Sequence, residues 1–266
     1  MIITVGESIN TSRPAVEKMV LERDAEAVQA LALAQAKAGT TYLDVNCGTC
    51  AQNEVHTMQW LADTIQAVTD IPLCIDSPEA EPLAMGLSMA KNGYPLMNSI
   101  TGETKVFESI LPVVSQYRPR VIALCIDDTG IPTKAEERFA VAQRLILRLR
   151  DAGIPDDDIF NDPLIQPISA NDQADIEVMK TLQMISQAYP KVHKICGLSN
   201  ISFDAPNRRL LNRIFTVLTM ASGMDAYVLN PLDKQMMGAI VASQALMGRD
   251  AYCLKYLKAH RAGLYD

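Results

Sequence analysis

Eight short apolar segments alternate with eight longer helical stretches along nearly the whole chain, and this alternation restricts the fold more than any motif does. The apolar segments fall at 2–6, 41–46, 72–76, 94–98, 120–125, 158–162, 193–198 and 225–229. Short apolar runs bounded by turn signals read as strands buried on both faces, as in parallel sheets. The helical stretches between them cover 24–38, 53–69, 79–91, 105–116, 133–152, 172–188, 207–223 and 233–247. The first is rich in Ala, Leu, Gln and Glu, all strong helix formers, and Gly39 supplies its stop. Thr133-Lys-Ala-Glu136 has the spacing of a capping box, and the helix it opens ends before Gly153-Ile-Pro155.

Eight βα units within 266 residues predict an α/β fold, a single (β/α)8 TIM barrel. A doubly wound sheet more usually has five or six strands and a Gly-rich first turn. Val5-Gly6-Glu7-Ser8-Ile9-Asn10 contains no GxGxxG, and no Gly-x4-Gly-Lys-Ser/Thr phosphate loop occurs. The tail 250–266 reads as one more helix outside the barrel. No repeat, low-complexity stretch or Pro/Gly/Ser linker divides the chain, so 1–266 reads as one domain.

A net charge of −7 leaves no basic surplus to neutralise phosphates, which argues against nucleic acid. No secretory signal opens the chain and no apolar run reaches a membrane span, so a soluble, cytoplasmic protein is expected. Cys74, Cys125 and Cys196 lie inside apolar runs, where a thiol behaves as a small hydrophobe. Cys47-Gly-Thr-Cys50 is a lone CxxC; His56, His193 and His260 are too scattered to complete a metal set. A structural role is the expectation for the pair, and no metal site is expected.

Six of the apolar segments end in a carboxylate or a carboxamide. Glu7 and Asn10 follow the first, Asp44 and Asn46 end the second, and Asp76-Ser77 follows the third. Asn98-Ser99, Asp162-Pro163 and Ser199-Asn200 stand at three others. Any one of them reads equally well as a helix cap or a turn residue. Six together, at the strand ends where a barrel keeps its chemistry, read as a site. With no histidine among them, they suit a neutral or weakly basic substrate rich in hydrogen-bond donors. A carboxylate facing an aminopyrimidinone accepts two parallel hydrogen bonds, from ring N–H and exocyclic amine. Asn98 can match a carbonyl and its neighbouring ring N–H. Such a rim fits a flat heterocycle with an amide-like edge and fits phosphate poorly.

These residues carry a resemblance. Gly6-Glu7-Ser8-Ile9-Asn10, Leu43-Asp44-Val45-Asn46, Ile75-Asp76-Ser77, Asn98-Ser99, Asp162-Pro163-Leu164 and Gly197-Leu198-Ser199-Asn200-Ile201-Ser202 are similar to the pterin-binding methyltransferases. Within that family the chain resembles the methyltetrahydrofolate:corrinoid-protein methyltransferases. The folate domain of cobalamin-dependent methionine synthase is a relative, and dihydropteroate synthase a more distant one. Thr129-Gly130-Ile131-Pro132, Asn207-Arg208 and Leu211-Asn212-Arg213 match as well, so the likeness runs in order to about residue 255.

The resemblance implies a site and a reaction. Asp76, Asn98 and Asp162 would bind the pterin, with Asp162 on the aminopyrimidinone edge. Asn200 would approach N5, the nitrogen that carries the methyl group, and is the expected catalytic residue. Its carbonyl oxygen can stabilise a protonated N5 but supplies no proton, which then comes through water or a wider network. Glu7 and Asn10 would complete the set, with Asp44, Asn46, Ser99, Ser199, Ser202 and Arg208 as further candidates. Tetrahydrofolate or 5-methyltetrahydrofolate would be the substrate, and a corrinoid protein the partner of a homodimer. Glu54-Val-His56-Thr-Met-Gln59 lacks the Asp and Gly of a cobalamin-binding Asp-x-His-x-x-Gly, so the corrinoid is expected on a separate protein. Departures near Phe203 and Cys47 favour methyl transfer from corrinoid to tetrahydrofolate, in demethylation, over the reverse transfer of acetyl-CoA synthesis.

Rivals stay open on the residues alone. Dihydropteroate synthesis needs a diphosphate site with basic groups at the rim, and those are expected to be scarce. A pterin-binding barrel without catalysis would need the same ring contacts. Lys194 is expected toward the barrel bottom or interior, with a Schiff base conceivable. Arg208, Arg209 and Arg213 could meet the glutamate tail of folate, an acidic partner, solvent or a subunit interface. Met220, Met224, Met236, Met237 and Met247 read as packing residues.

Overall fold

The computed structural model describes residues 2–265. Its eight strands are β1 (Ile3–Gly6), β2 (Tyr42–Asn46), β3 (Leu73–Asp76), β4 (Leu96–Thr101), β5 (Arg120–Leu124), β6 (Ile159–Asp162), β7 (His193–Lys194) and β8 (Ala226–Leu229). They form one parallel sheet in the order β7-β6-β5-β4-β3-β2-β1-β8. The two ends of that order meet. Asp225 N–H donates to the Lys194 carbonyl (3.2 Å) and Val228 N–H to the Cys196 carbonyl (2.9 Å), and Gly197 bridges Val228 in parallel. The sheet is thus a barrel, as the alternation predicts.

The helices are α1 (Pro14–Leu21), α2 (Ala25–Lys37), α3 (Glu54–Gln66), α4 (Ala80–Met89), α5 (Thr104–Tyr117), α6 (Ala135–Asp151), α7 (Ala174–Ala188), α8 (Arg208–Ala221), α9 (Lys234–Leu246) and α10 (Leu254–Arg261). Asp24 caps α2, accepting the Ala27 N–H at 3.0 Å. The tail helix α10 packs on α9, outside the barrel.

Three expectations need correction. A helix, α1, precedes α2 where the sequence pattern predicts none; Pro14 in its first turn is the start signal. The cap of α6 lies one residue later than Thr133–Glu136 implies. There Glu137 accepts the Lys134 N–H at 3.3 Å. Strand β7 is two residues long rather than six. Ile195 still donates to the Asn161 carbonyl at 3.0 Å, but the chain then turns at Gly197 into a 3-10 segment, Leu198–Ser202.

Strand parity sorts the core. Val5, Tyr42, Cys74, Leu96, Ile122, Phe160, Ile195 and Ala226, one from each strand segment, make a buried plug. The intervening residues, such as Leu43, Val45, Leu73, Ile75, Met97, Val121 and Ala123, pack outward in a second buried cluster with helix residues. Met220, Met224 and Met236 are buried between α8, α9 and the sheet, which fits the packing role expected of them. Because side chains alternate along a strand, the next position on the plug's side puts Asp44, Asp76, Asn98 and Asp162 on top of it.

Candidate active site

A cavity of ≈ 260 Å³ opens at the C-terminal ends of the strands. Ile122, Leu124, Ile195 and Val228 give it an apolar floor and wall. Its polar lining is Glu7, Asn10, Asp44, Asp76, Asn98, Asp162 and Asn200. All six expected ring-binding residues therefore meet in one place, with Asp44 from the wider set. An apolar base with a few convergent polar groups is the usual form of a small-molecule site.

The side chains are held in distinct ways. Asn46, paired with Asp76 in the strand register, donates its Nδ2 to Asp76 Oδ2 at 2.9 Å. It acts behind Asp76 rather than lining the cavity. Asp162 Oδ1 accepts the Leu164 N–H at 2.7 Å. Glu7 Oε1 accepts from Arg13 at 3.3 Å and from Ser199 Oγ at 3.5 Å. Asn200 reaches the mouth from the 3-10 turn after Gly197. A Cβ at Gly197 would stand 3.2 Å from Asn200 Nδ2, so glycine keeps that amide's place clear.

Burial dominates the electrostatics. Desolvation pushes Asp162 up to about 7, against the pull of the Leu164 and Gly197 N–H groups and the Arg138 guanidinium. Asp76 is raised to about 6, mainly by burial, and the hydrogen bond from Asn46 opposes the rise. Asp44 is pushed well above the carboxylate range by burial and the neighbouring Asp76 charge. One of its oxygens is buried with no hydrogen-bond partner among the described residues. Glu7 is also raised by burial, with Arg13 opposing. Several carboxyls here are poised to give up a proton when a hydrogen-bond donor arrives.

The remaining candidates separate. Ser99 is the extra residue at the register shift between Asn98 and Ile100 and lines neither this cavity nor its neighbour. Ser202 is buried, accepting from Arg208 Nε at 3.1 Å. Ser199 and Arg208 line an adjoining, larger cavity of ≈ 800 Å³, which shares Glu7 and Asn10 with the first. That cavity also holds Arg13, Arg209, Arg213 and Lys234. The expectation that basic groups are scarce at the rim is therefore wrong. These cations come from α8 and from the starts of α1 and α9 rather than from the strand ends. Lys194 is buried, its Nζ donating to the Val192 carbonyl at 3.2 Å, below the plug and away from the mouth. Burial pushes the Cys47 thiol up to about 12, which makes it a poor nucleophile.

Sequence reasoning missed Arg138. This α6 side chain is fully buried and donates to the carbonyls of Pro132 (2.9 Å), Pro163 (3.0 Å) and Leu164 (3.0 Å). It braces the loop that presents Asp162. In the sequence an arginine on a helix reads as a surface residue.

Residues 7–230 match the family described as pterin binding enzyme. The chain is 35% identical over 264 residues to a methylcorrinoid:tetrahydrofolate methyltransferase of Eubacterium limosum, covering 98% of this chain and 97% of that protein. It is 27% identical over 243 residues to the methionine synthase of Mycobacterium leprae, which is 86% of this chain and 20% of the synthase. Among solved structures, a dihydropteroate synthase of Xanthomonas albilineans superposes with a TM-score of 0.71 at 17% identity, covering 92% of each chain. The Yersinia pestis synthase gives 0.64 at 15% identity, over 85% of this chain and 90% of that one. Identities this low show a shared barrel and do not bear on the reaction.

Proposed function

The chain belongs to the pterin-binding enzyme family, and on that premise we propose that it is a methyltransferase acting between a corrinoid protein and tetrahydrofolate. The observation that carries this reading is the convergence of Glu7, Asn10, Asp76, Asn98, Asp162 and Asn200 on one cavity over an apolar floor. The name of the Eubacterium limosum relative supports methylcorrinoid as donor and tetrahydrofolate as acceptor, the direction of a demethylation pathway.

In this reading Asp162 faces the ring N–H and 2-amino group of the pterin and is ionised when it does so. Asp76 and Asn98 take further ring donors and acceptors, with Asn46 fixing one Asp76 oxygen. Asn200 turns its carbonyl oxygen to N5. The methyl group arrives on the cobalt of the partner's corrinoid. N5 bonds to it as the cobalt–carbon bond breaks, both electrons of that bond stay with the departing cobalt as Co(I), and N5 then releases its own proton. As positive charge develops on N5, the Asn200 oxygen stabilises it. Asn200 has no titratable proton, so the N5 proton passes to water or to a wider network at the open mouth. The enzyme aligns two reactants and provides no nucleophile of its own.

A barrel that only bound pterin would use the same ring contacts, and Asn200→Ala separates the two cases. For a methyltransferase, turnover falls about 100-fold while tetrahydrofolate binding changes much less. Equal turnover in variant and wild type would contradict a catalytic Asn200.

Pairing of two copies is part of the proposal. Helix α8 exposes Leu210, Ile214, Val217 and Leu218, each 40–50% accessible, along one stripe. An unpartnered apolar stripe suits a symmetric dimer contact. Sedimentation should give a dimer that Leu210→Glu with Ile214→Glu dissociates; a wild-type monomer at micromolar concentration would rule it out. Six unpaired cysteines fit a reducing compartment, and no helix among the described residues is long and apolar enough to cross a membrane. The unpaired cysteines support placing residues 1–266, read as one pterin-binding domain, in the cytoplasm.

A further inference from the structure

We propose that the ≈ 800 Å³ outer cavity is a subsite for the γ-linked glutamate tail of folate and makes the enzyme prefer polyglutamylated over monoglutamylated tetrahydrofolate. The inference rests on the reading that the pterin ring fills the inner cavity with N5 at Asn200. C6, the ring atom beside N5, carries the p-aminobenzoyl-glutamate arm. The inner cavity, at ≈ 260 Å³, suits the bicyclic ring alone. The arm must therefore leave beside Asn200, where Leu198 and Ser199 already line the outer cavity.

The charge of that cavity is opposite to that of the protein. Five cationic side chains and two carboxylates line it, on a chain of net charge −7. Arg13 pairs with Glu7 at 3.3 Å and Arg213 with Asp233 at 2.9 Å, which leaves Arg208, Arg209 and Lys234 without an ion-pair partner among the described residues. Arg208 is held in place by bonds to the Ser199 carbonyl (2.8 Å) and Ser202 Oγ (3.1 Å). Among the described residues Lys234 donates to the Gly263 carbonyl at 3.5 Å and forms no ion pair. Arg208 and Arg209 open α8, whose N-cap residue Asn207 makes no side-chain cap bond. The helix dipole and the first-turn N–H groups there add to the attraction for anions. Carboxylates spaced along the tail match both the cations and the open helix end.

Binding of three ligands tests this: 6-methyltetrahydropterin, tetrahydrofolate with one glutamate, and tetrahydrofolate with three. Triglutamate should bind about tenfold more tightly than monoglutamate, an advantage that shrinks at high salt. The double variant Arg209→Ala with Lys234→Ala should abolish the advantage. If 6-methyltetrahydropterin itself fails to bind, the pterin reading falls and the tail subsite with it. If the tail-less pterin binds but one and three glutamates bind alike, only the tail subsite is overturned. It is also overturned if inorganic diphosphate occupies the cavity more tightly than free γ-linked triglutamate, which would mark a phosphate subsite. Loss of corrinoid-protein binding in the double variant, with chain-length preference intact, would assign the cations to the partner and overturn it too.

Discussion

Arg138 and Leu164 are joined by a guanidinium-to-carbonyl hydrogen bond of 3.0 Å, and Leu164 passes the constraint on by donating its N–H to Asp162 at 2.7 Å. Leu164 sits in the left-handed region at φ 58°, a conformation a bulky residue adopts only when its surroundings impose it. A buried arginine thus sets the place of a carboxylate to which it makes no direct hydrogen bond.

Arg138→Met should unmake that arrangement. It orphans three loop carbonyls, and we expect a stability loss of about 3 kcal/mol in urea denaturation. Stability alone would not show positioning, so the pH profile is the sharper readout. The Arg138 charge pulls the Asp162 carboxyl down. Removing it should move the midpoint of pH-dependent pterin binding upward. An unchanged midpoint with weakened stability would reduce Arg138 to a packing role.

The pH dependence of the wild type follows from the same carboxyl. Asp162 titrates at about 7 in the empty site, and the bound pterin edge requires it ionised. Pterin affinity should therefore fall close to tenfold for each pH unit below 7, with Asp76, raised to about 6, steepening the loss further down. Stability of the free protein runs the other way. A carboxyl whose folded pKa is raised favours the fold below its unfolded value near 4, and that advantage is lost as pH climbs toward 7. Asp162→Asn should accordingly raise stability of the free protein at pH 8, by about 2 kcal/mol, while weakening pterin binding. Affinity flat from pH 5.5 to 8 would contradict this assignment.

The rim was legible in the sequence because strand parity is rigid. Once Tyr42, Cys74, Leu96 and Phe160 are inside, Asp44, Asp76, Asn98 and Asp162 two residues later must be inside as well. Asn46 shows the limit of parity: it shares that face, yet its amide is spent on Asp76. Residues that depend on tertiary contact were not legible. Arg138 looks like any exposed helix arginine until α6 is laid against the Pro163–Leu164 loop. The outer cavity draws Arg13, Arg209 and Lys234 from positions far apart in the chain, so only the closed barrel gathers them. The shortening of β7 had a local signal, Gly197, which the apolar character of Ile195 and Cys196 masked.

The central claim is methyl transfer between a corrinoid and N5 of tetrahydrofolate, and the visible spectrum of the cobalt reports it directly. The protein is mixed with tetrahydrofolate and methylcobalamin, or with a methylated corrinoid protein, under anaerobic conditions. The account predicts loss of the methyl-cobalt absorption with appearance of 5-methyltetrahydrofolate in equal amount, at a rate proportional to enzyme. No spectral change and no methylated folate, even with a cognate corrinoid protein, would contradict it.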